Sequence, residues 1–506
     1  MKKRLIYGLF LGIIFLNACQ SKPQEFKISK SELLDKIKGG WAAQAIGCSY
    51  GGETEFGWKG NIIPEDVQIK WNDSIMYRLF TTKGGLYDDV YMDLIFMDMF
   101  EKHGFDVDAV KLGNAFANAD FLLWHANQLA RYNILRGIKP PESGNWKNNP
   151  HADDIDYQIE ADFSGLMSPG MPVTSCGISN KVGHIMNSGD GYYGGVYVGV
   201  LYSLAFINTD MHYIVSEALK AIPEKSTFYQ CINDVIVFYE HNPNDWKAAW
   251  QMVKKKWYND NFCSEGLFDD FNIDAKINSA YCIIGLLYGN GDFEKTMEIA
   301  TRCGQDSDCN PATAAGIMGV IMGYNTIPEK FLKACRMVED IKFSGVDMTL
   351  NHAYQTGYKH AMAMITENGG TIDKDFVIIK TQQVKPVAFE QNYEGMHLAG
   401  KIEGKPFDSN YTFEFKGNGF IILGNCETAD EALRDIFVIK LDLFINNKLE
   451  ETILYPLNDK YKLHRELAWK YLLPEGEYKI RLEWKNPNSK VKISCKGAGI
   501  YSSNKL

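Results

Sequence analysis

Three short acidic segments have residue types and spacings that could do chemistry. They are Glu53-Thr54-Glu55, Asp88-Asp89 and Asp306-Ser307-Asp308. Each lies beside a predicted helix, so each also has a plain structural explanation, because acidic side chains cap helix N-termini and stabilise the helix dipole. If the fold brings them together, their carboxylates repel one another and raise their own pKa values unless a cation neutralises them. Taken together, the three segments predict a metal site.

The oxygen-only ligand set favours a hard divalent cation. Mg²⁺ is the first expectation, with Mn²⁺ or Ca²⁺ left open, as one ion or two. The spacing of Asp306 and Asp308 lets both carboxylates contact one ion from a tight turn. A pair of ions could bind a substrate diol and activate a water for attack. Without a metal, Glu55 paired with Asp89 or Asp306 could serve as acid and base, as in glycosidases.

Helices must position these segments. From residue 28 to 370 the hydrophobic periodicity is helical, broken by loops rich in Gly, Pro and Asn. The helix before Glu53 carries small residues between Gly39 and Gly47, which lower helix propensity and indicate close contact with neighbouring helices. Asn310-Pro311 predicts a further helix that begins at Pro311. Residues 28–370 therefore predict an all-α domain.

A second domain is predicted for residues 376–506. There the period changes to two, with apolar residues alternating with polar ones in the segments 411–415, 439–445 and 478–484. Turn residues such as Asn446-Asn447 separate the strands. We expect a β-sandwich or jelly roll, an accessory domain common on secreted carbohydrate enzymes. The fold class is thus multidomain, an all-α unit followed by an all-β unit.

The order of the motifs resembles the ADP-ribosylglycohydrolase family over about residues 28–365. The matching segments are Ala45-Ile46-Gly47 through Glu55-Phe56, Tyr87-Asp88-Asp89, Gly189 through Gly195, Gly304 through Asn310, Ala312 through Gly319, and Ile327-Pro328. Each motif alone is weak, whereas the ordered set is fairly specific.

The resemblance implies an all-α orthogonal bundle with a binuclear Mg²⁺ or Mn²⁺ site. The family reaction is hydrolysis of an N- or O-glycosidic bond at the anomeric carbon of ADP-ribose. Carried over to this sequence, Asp88, Asp89, Asp306 and Asp308 would ligate metal. Glu55 would hold the catalytic water, and Glu55 and Asp89 are the expected catalytic residues. The implied function is a metal-dependent glycosidic-bond hydrolase with a small-molecule or glycan substrate.

Four positions depart from the family pattern. Tyr87 and Val90 flank the aspartate pair where threonines are usual, Cys309 follows Asp308 where a threonine is usual, and Cys48 stands where an aspartate is common. A thiol is a poor ligand for Mg²⁺. An alternative is therefore kept: a non-catalytic, carbohydrate-binding lipoprotein that retains the fold and has lost the binuclear site.

Two other segments are candidates for contact with substrate. Asp162 could be a substrate-facing carboxylate, although an acidic helix face in solvent is the simpler explanation of its segment. A glycine-rich loop could approach a ligand through its backbone N–H groups, with the candidate residues Gly189, Asp190, Gly191, Tyr192 and Tyr193. The histidines follow no metal-binding or catalytic-triad spacing.

The N-terminus predicts export. A basic start and a short apolar stretch indicate a signal peptide over residues 1–18, and Leu16-Asn17-Ala18-Cys19 resembles a lipobox. Lipidation of Cys19, followed by a tether over 19–27, would place the protein on the outer membrane of a Gram-negative cell, more on its periplasmic face than on the cell surface. The other cysteines lie in apolar patterns typical of free, buried thiols. The net charge of −10 argues against nucleic-acid binding, and protein partners and oligomeric state stay open.

Overall fold

The computed structural model describes residues 24–259 and 262–504. The predicted signal peptide and the lipidation site Cys19 lie outside the described residues. Among the described helices, none is long and apolar enough to cross a bilayer. The cysteines of the described part are free thiols, as the sequence predicts.

Seventeen α-helices of the described chain precede the main β structure, which confirms the all-α expectation for this part. The helices are α1 (Lys30–Gly51), α2 (Ile75–Thr82), α3 (Asp88–His103), α4 (Ala109–Asn118), α5 (His125–Leu135), α6 (Asp156–Ile159), α7 (Asp162–Leu166), α8 (Pro172–Val182), α9 (Gly189–Ala205), α10 (Met211–Leu219), α11 (Thr227–His241), α12 (Trp246–Trp257), α13 (Ala275–Gly289), α14 (Phe293–Arg302), α15 (Cys309–Met322), α16 (Glu329–Arg336) and α17 (Leu350–Glu367). Their apolar faces share one large core.

The strands form three antiparallel sheets, and a short helix, α18 (Glu431–Ile436), interrupts them. The strands are β1 (Glu25–Ser29), β2 (Thr371–Ile372), β3 (Phe376–Lys380), β4 (His397–Glu403), β5 (Asn410–Gly417), β6 (Gly419–Thr428), β7 (Val438–Ile445), β8 (Lys448–Pro456), β9 (Glu466–Lys470), β10 (Gly476–Trp484) and β11 (Val491–Ser502). Their orders are β1-β3-β2, β5-β10-β7-β8 and β4-β11-β6-β9.

The two four-stranded sheets pack as a sandwich. Leu441 and Ile480 of one sheet share a buried core with Phe420 and Ile493 of the other. The alternation in β5, β7 and β10 predicts this arrangement, since every second side chain of a strand faces the same way. The predicted β domain is thereby confirmed as antiparallel sheet structure.

The small sheet joins the start of the chain to the segment that follows α17. Ile28 of β1 and Val377 and Ile379 of β3 belong to the helical core. Strand β1 thus begins inside the segment predicted as a tether. Strand β3 pairs with β1, although the sequence assigns residues 376–380 to the β domain.

Helix α5 connects the helical core to the sandwich. Leu129 and Tyr132 on this helix are buried in the sandwich core. The Tyr132 hydroxyl also donates a hydrogen bond of 2.7 Å to the Leu454 carbonyl of β8. The residues that precede and begin α5, Trp124 and His125, therefore lie where the two domains meet.

Candidate active site

Close contact between α1 and α15 brings two of the acidic segments together. A Cβ atom on Gly47 would lie 2.4 Å from the Pro311 carbonyl oxygen, and one on Gly51 would lie 1.7 Å from that of Ser307. Only glycine allows the backbones to approach this closely. The small-residue pattern of α1 therefore has a positional function: it holds the 306–308 loop against the C-terminal end of α1.

The start of α15 differs from the prediction. The helix begins at Cys309 and not at Pro311, because the Asn310 N–H already bonds to the Asp306 carbonyl at 3.2 Å. The Cys309 N–H in turn donates to Asp306 Oδ1 at 3.3 Å. This earlier start turns Cys309 towards the carboxylates.

The structure brings the predicted carboxylates into one acidic centre, comprising Glu55, Asp88, Asp89, Asp306 and Asp308. Possible ligand atoms of Asp88, Asp89 and Cys309 all lie within 4.8 Å of one another. The same holds for Asp306, Asp308 and Cys309. Cys309 is common to both groups, so the aspartates at the start of α3 face those that precede α15.

Two residues that depart from the family pattern make local hydrogen bonds at this centre. The Cys48 thiol donates to Asp89 Oδ2 at 3.2 Å, and the hydroxyls of Tyr87 and Ser49 lie 2.8 Å apart. Both Cys48 and Tyr87 are buried. In the family pattern an aspartate is common at position 48, where its carboxylate would repel Asp89. Cys48 instead donates a weak hydrogen bond to Asp89.

Burial and crowding raise the carboxyl pKa values. Desolvation, followed by the charge of Asp306, raises the pKa of Asp89 to about 7. Desolvation and Asp306 also raise the pKa of Glu55 to about 8, although Lys83 opposes the shift. Desolvation, with neighbouring carboxylates, raises the pKa of both Asp88 and Asp308 well above the ordinary range. The acidic centre thus holds more negative charge than its protein surroundings neutralise.

The donor set fits a divalent cation. Asp308 Oδ1 is buried and has no hydrogen-bond partner among the described residues. An unpaired buried carboxylate oxygen is costly unless a proton or a cation satisfies it. The four aspartates supply oxygens suited to Mg²⁺, Mn²⁺ or Ca²⁺, whereas the Cys309 thiol does not.

A cavity of about 260 Å³ opens onto the acidic centre. Glu55, Asp88, Asp156 and Asp306 supply its carboxylates, and most of its other walls are apolar or aromatic. The other residues that line it are Phe56, Lys83, Gly85, Leu86, Met92, Trp124, His125, Asn127, Ile155, Ile159, Ile273 and Cys309. Carboxylates under apolar walls can bind a sugar ring while limiting access of bulk water.

Asp162 lies behind this cavity and not in its described lining. Its side chain is 0% exposed, and Asp162 Oδ2 accepts a hydrogen bond of 2.8 Å from the Tyr202 hydroxyl. Desolvation raises the pKa of Asp162 well above the ordinary range. This position indicates a neutral carboxyl in the core, and the predicted role of Asp162 in substrate binding stays a prediction.

The 189–193 segment forms the first turn of α9, away from the described lining of the acidic cavity. Asp190 Oδ1 accepts the Phe228 N–H at 3.2 Å, and the Gly189 N–H donates to Glu390 Oε2 at 3.1 Å. The Tyr193 hydroxyl donates to the Glu390 carbonyl at 3.1 Å, and Tyr192 is buried. A Cβ on Gly191 would meet the Ala152 carbonyl oxygen at 2.2 Å. These contacts are internal, and the predicted role in substrate binding stays a prediction.

The sequence interpretation missed a histidine cluster at the domain interface. It comprises His125, His151, His464, Glu265 and Glu466. The three imidazole rings have centroids 4.7 to 5.7 Å apart. The histidines come from α5, from the loop before α6 and from the β8–β9 connection, so no local spacing could have revealed them.

Pairing with carboxylates balances the charges of this cluster. His151 Nδ1 and Nε2 lie 2.5 and 2.6 Å from Asp154 and Glu466. Burial lowers the pKa of His151, but these two carboxylates outweigh it and raise that pKa well above the ordinary value. Burial raises the pKa of Glu265, but hydrogen bonding and charge from His464, with His125 and Arg465, bring it below the ordinary value.

An interdomain cavity of about 700 Å³ adjoins the histidine cluster. Glu265 and Gln128 line it from the helical side, and His464 and Arg465 line it from the β domain. Trp124 lines both this cavity and the acidic cavity. The sandwich therefore supplies residues close to the acidic centre.

Comparison with known proteins identifies a family for the helical part of the chain. The model of the ADP-ribosylglycohydrolase family matches residues 29–357. A solved structure described as "ADP-ribosylglycohydrolase-related protein complex" is similar over 66% of this chain and 99% of that chain, at 14% sequence identity and a TM-score of 0.43. No curated protein matches the chain.

Proposed function

The chain belongs to the ADP-ribosylglycohydrolase family, and we propose that it is an exported, metal-dependent hydrolase of N- or O-glycosidic bonds. Family membership supports a glycosyl-hydrolase-like role. The observation that carries the proposal is the acidic cavity, in which Glu55, Asp88 and Asp306 lie under apolar walls. In this cavity a sugar ring can meet several carboxylates of the acidic centre at once.

Asp88, Asp89, Asp306 and Asp308 would hold one or two divalent cations. Bound there, a cation polarises substrate oxygens and lowers the pKa of a ligated water. Asp306 and Asp308 are fixed by the contact between α1 and α15, and Asp88 and Asp89 by the first turn of α3. The protein thus holds its ligands on packed helices, which limits their reorganisation during the reaction.

Glu55 would act on the attacking water. Burial, followed by the charge of Asp306, raises the pKa of Glu55 to about 8. Neutralising Asp306 would remove the second cause of this raised pKa, which would favour Glu55 as the carboxylate that accepts a proton from water. Asp89 is the second expected catalytic carboxylate, and Trp124 offers an aromatic face at the cavity wall.

The substrate proposed is glycan- or nucleoside-derived. The predicted signal peptide and Cys19 support an outer-membrane lipoprotein, more on the periplasmic face than on the cell surface. A protein in that compartment meets scavenged glycans and nucleosides. A sandwich domain beside the cavity is also consistent with a carbohydrate substrate, by analogy of fold.

Metal content tests the proposal. The purified mature protein and Asp306→Ala/Asp308→Ala are compared by elemental analysis and by thermal shift with Mg²⁺, Mn²⁺ and Ca²⁺. We expect bound metal and a metal-dependent rise in melting temperature for the wild type, and the loss of both in the variant, because half of the aspartate ligands are gone. A hydrolysis screen of ribosides and glycans then follows with the metal-loaded protein.

The matched control is Asp73→Ala/Asp347→Ala. It removes two exposed aspartates that pair with Lys333 and Lys342 on the surface. This control should bind metal like the wild type. If the wild type shows neither bound metal nor a thermal shift with any of the three ions, the metal-dependent reaction is excluded. A metal-free glycosidase or the carbohydrate-binding alternative then remains.

A further inference from the structure

Three side chains of the histidine cluster place metal-binding atoms together outside the acidic centre. One ring nitrogen each of His125 and His464 and one carboxylate oxygen of Glu265 lie within 4.8 Å of one another. The Glu265 side chain is 2% exposed, and both imidazoles are 13% exposed. Two imidazoles and one carboxylate form a common donor set for a catalytic zinc site.

The spacing is close to that of a tetrahedral zinc ion. Ligand atoms bound at about 2.0–2.1 Å in a tetrahedron lie about 3.3 Å apart. In the structure, Glu265 Oε1 lies 2.7 Å from His464 Nε2 and 3.9 Å from His125 Nε2. These two distances lie on either side of the tetrahedral value, each about 0.6 Å from it, so small side-chain movements would fit the ion.

The neighbourhood orients the donors. Arg465 binds Glu265 Oε2 at 2.5 Å, which leaves Oε1 for the two imidazoles. Hydrogen bonds from neighbouring side chains commonly fix the orientation of zinc ligands. His125 adopts a φ of 40°, in the left-handed region that non-glycine residues rarely occupy. Strain at this position is consistent with a side chain held in place for a ligand.

We propose that His125, Glu265 and His464 bind one Zn²⁺ ion at the interface between the helical domain and the sandwich. On binding, the ion displaces the proton that His464 Nε2 shares with Glu265 Oε1, and this proton is released to solvent. Three protein ligands leave a fourth position for water or a small ligand. His125 lines the acidic cavity, and Glu265 and His464 line the interdomain cavity, so the fourth position is accessible.

This site is chemically distinct from the acidic centre. Nitrogen donors favour zinc and related transition metals over Mg²⁺, whereas the aspartates favour hard cations. The proposal does not depend on the reaction proposed for the acidic centre. A protein without hydrolase activity would still bind zinc here, and the zinc ion would link the two domains.

Zinc binding is measured in the Asp306→Ala/Asp308→Ala background, which removes two of the carboxylates that compete for metal. The mature protein is loaded with Zn²⁺, dialysed and analysed for metal, and its affinity is measured by competition with a chromogenic chelator. We expect one zinc ion per chain. His125→Ala and His464→Ala should each weaken binding by roughly 100-fold or more, since even outer contacts are worth 10–100-fold. His212→Ala, which alters an exposed histidine paired with Glu240, is the control and should bind like its parent.

A spectroscopic measurement separates loss of the site from loss of folding. Co²⁺ in a tetrahedral nitrogen and oxygen site gives visible absorption, which should appear in the parent and be absent from both histidine variants. Circular dichroism and melting temperature report whether those variants fold. The proposal is overturned if the parent retains no zinc, or if folded His125→Ala and His464→Ala retain as much zinc as the parent.

Discussion

Trp124 lines both the acidic cavity and the interdomain cavity. The ionisable side chains beside the first cavity repel one another, whereas those beside the second pair with opposite charges. The acidic centre gathers carboxylates, and burial with mutual repulsion raises their pKa values. In the histidine cluster, imidazoles alternate with carboxylates, and the pKa of Glu265 falls while that of His151 rises. The first group leaves carboxylates for a proton or a cation to neutralise, whereas the second is largely neutralised by its own side chains.

The acidic centre and the histidine cluster illustrate two different effects of buried charge. Unbalanced charge is a cost to stability that ligand binding can relieve, so it indicates a binding site. Balanced charge is strongly destabilising once one partner is removed, so the pairs of His151 with Asp154 and Glu466 hold neighbouring elements in place. In this protein the unbalanced group lies within the helical domain, and the balanced group spans the two domains.

We expect the largest loss of stability from substituting His151. Its imidazole lies between Asp154 and Glu466, and all three side chains are buried. His151→Ala leaves two buried carboxylates without their shared partner, which should lower the free energy of unfolding by about 3–5 kcal/mol. Denaturant unfolding at about pH 6 measures the change. His212→Ala, at an exposed pair, should change it by less than about 1 kcal/mol.

The effect of His151→Ala should depend on pH with a definite sign. Because the folded-state pKa of His151 is raised, its ion pairs contribute fully below the unfolded value of about 6.5. The contribution falls as pH rises through the folded pKa. The stability gap between wild type and His151→Ala should therefore be widest near pH 6 and narrower in alkaline solution. A gap that widens with pH would contradict the charged pairing.

The second effect concerns the helix contact that positions the acidic centre. Gly47→Ala places a methyl group against the Pro311 carbonyl oxygen, so α1 and α15 must separate. We expect a loss of about 1–3 kcal/mol in stability from overpacking. We also expect weaker binding of the divalent cation, since the 306–308 loop moves with α15. Calorimetric titration of the folded variant measures the affinity.

Gly177→Ala is the matched control for this change. Gly177 lies in α8, and a Cβ atom there would meet nothing within 4 Å. Alanine favours the helix, so this variant should keep or gain up to about 1 kcal/mol of stability and bind metal unchanged. Equal metal affinity in both variants would show that the α1–α15 contact does not set the ligand geometry.

The sequence predicts the two regions to very different extents. The acidic centre is predictable, because Asp88, Asp89, Asp306 and Asp308 stand next to helices whose small residues require close packing. The sandwich is also predictable from the period of two. The histidine cluster is not, because His125, His151 and His464 meet only through the packing of α5 against the sandwich. Domain docking depends on surface complementarity, which a single sequence does not reveal.

Asp162 and the 189–193 segment illustrate a second limit. Acidic and glycine-rich sequences have the same composition whether they face a ligand or pack internally. Asp162 bonds to Tyr202, and Gly191 contacts the Ala152 backbone, so both satisfy internal packing. Burial depends on the neighbours that the fold supplies, and residue type alone does not determine it.

The smallest predicted change in metal affinity concerns Cys309, which lies beside both pairs of aspartates in the acidic centre. Cys309 lies within 4.8 Å of ligand atoms from Asp306 and Asp308, where a family threonine is usual. Cys309→Thr replaces a soft thiol with a hard hydroxyl oxygen, so Mg²⁺ affinity should rise by roughly threefold to tenfold. Titration calorimetry measures it, with Cys495→Thr in the β domain as the control that should leave Mg²⁺ affinity unchanged. Zinc binding at His125, Glu265 and His464 should not change, because those donors do not include Cys309. A fall in Mg²⁺ affinity on Cys309→Thr would mean that the thiol position contributes by packing against Asp89 and not by facing the ion.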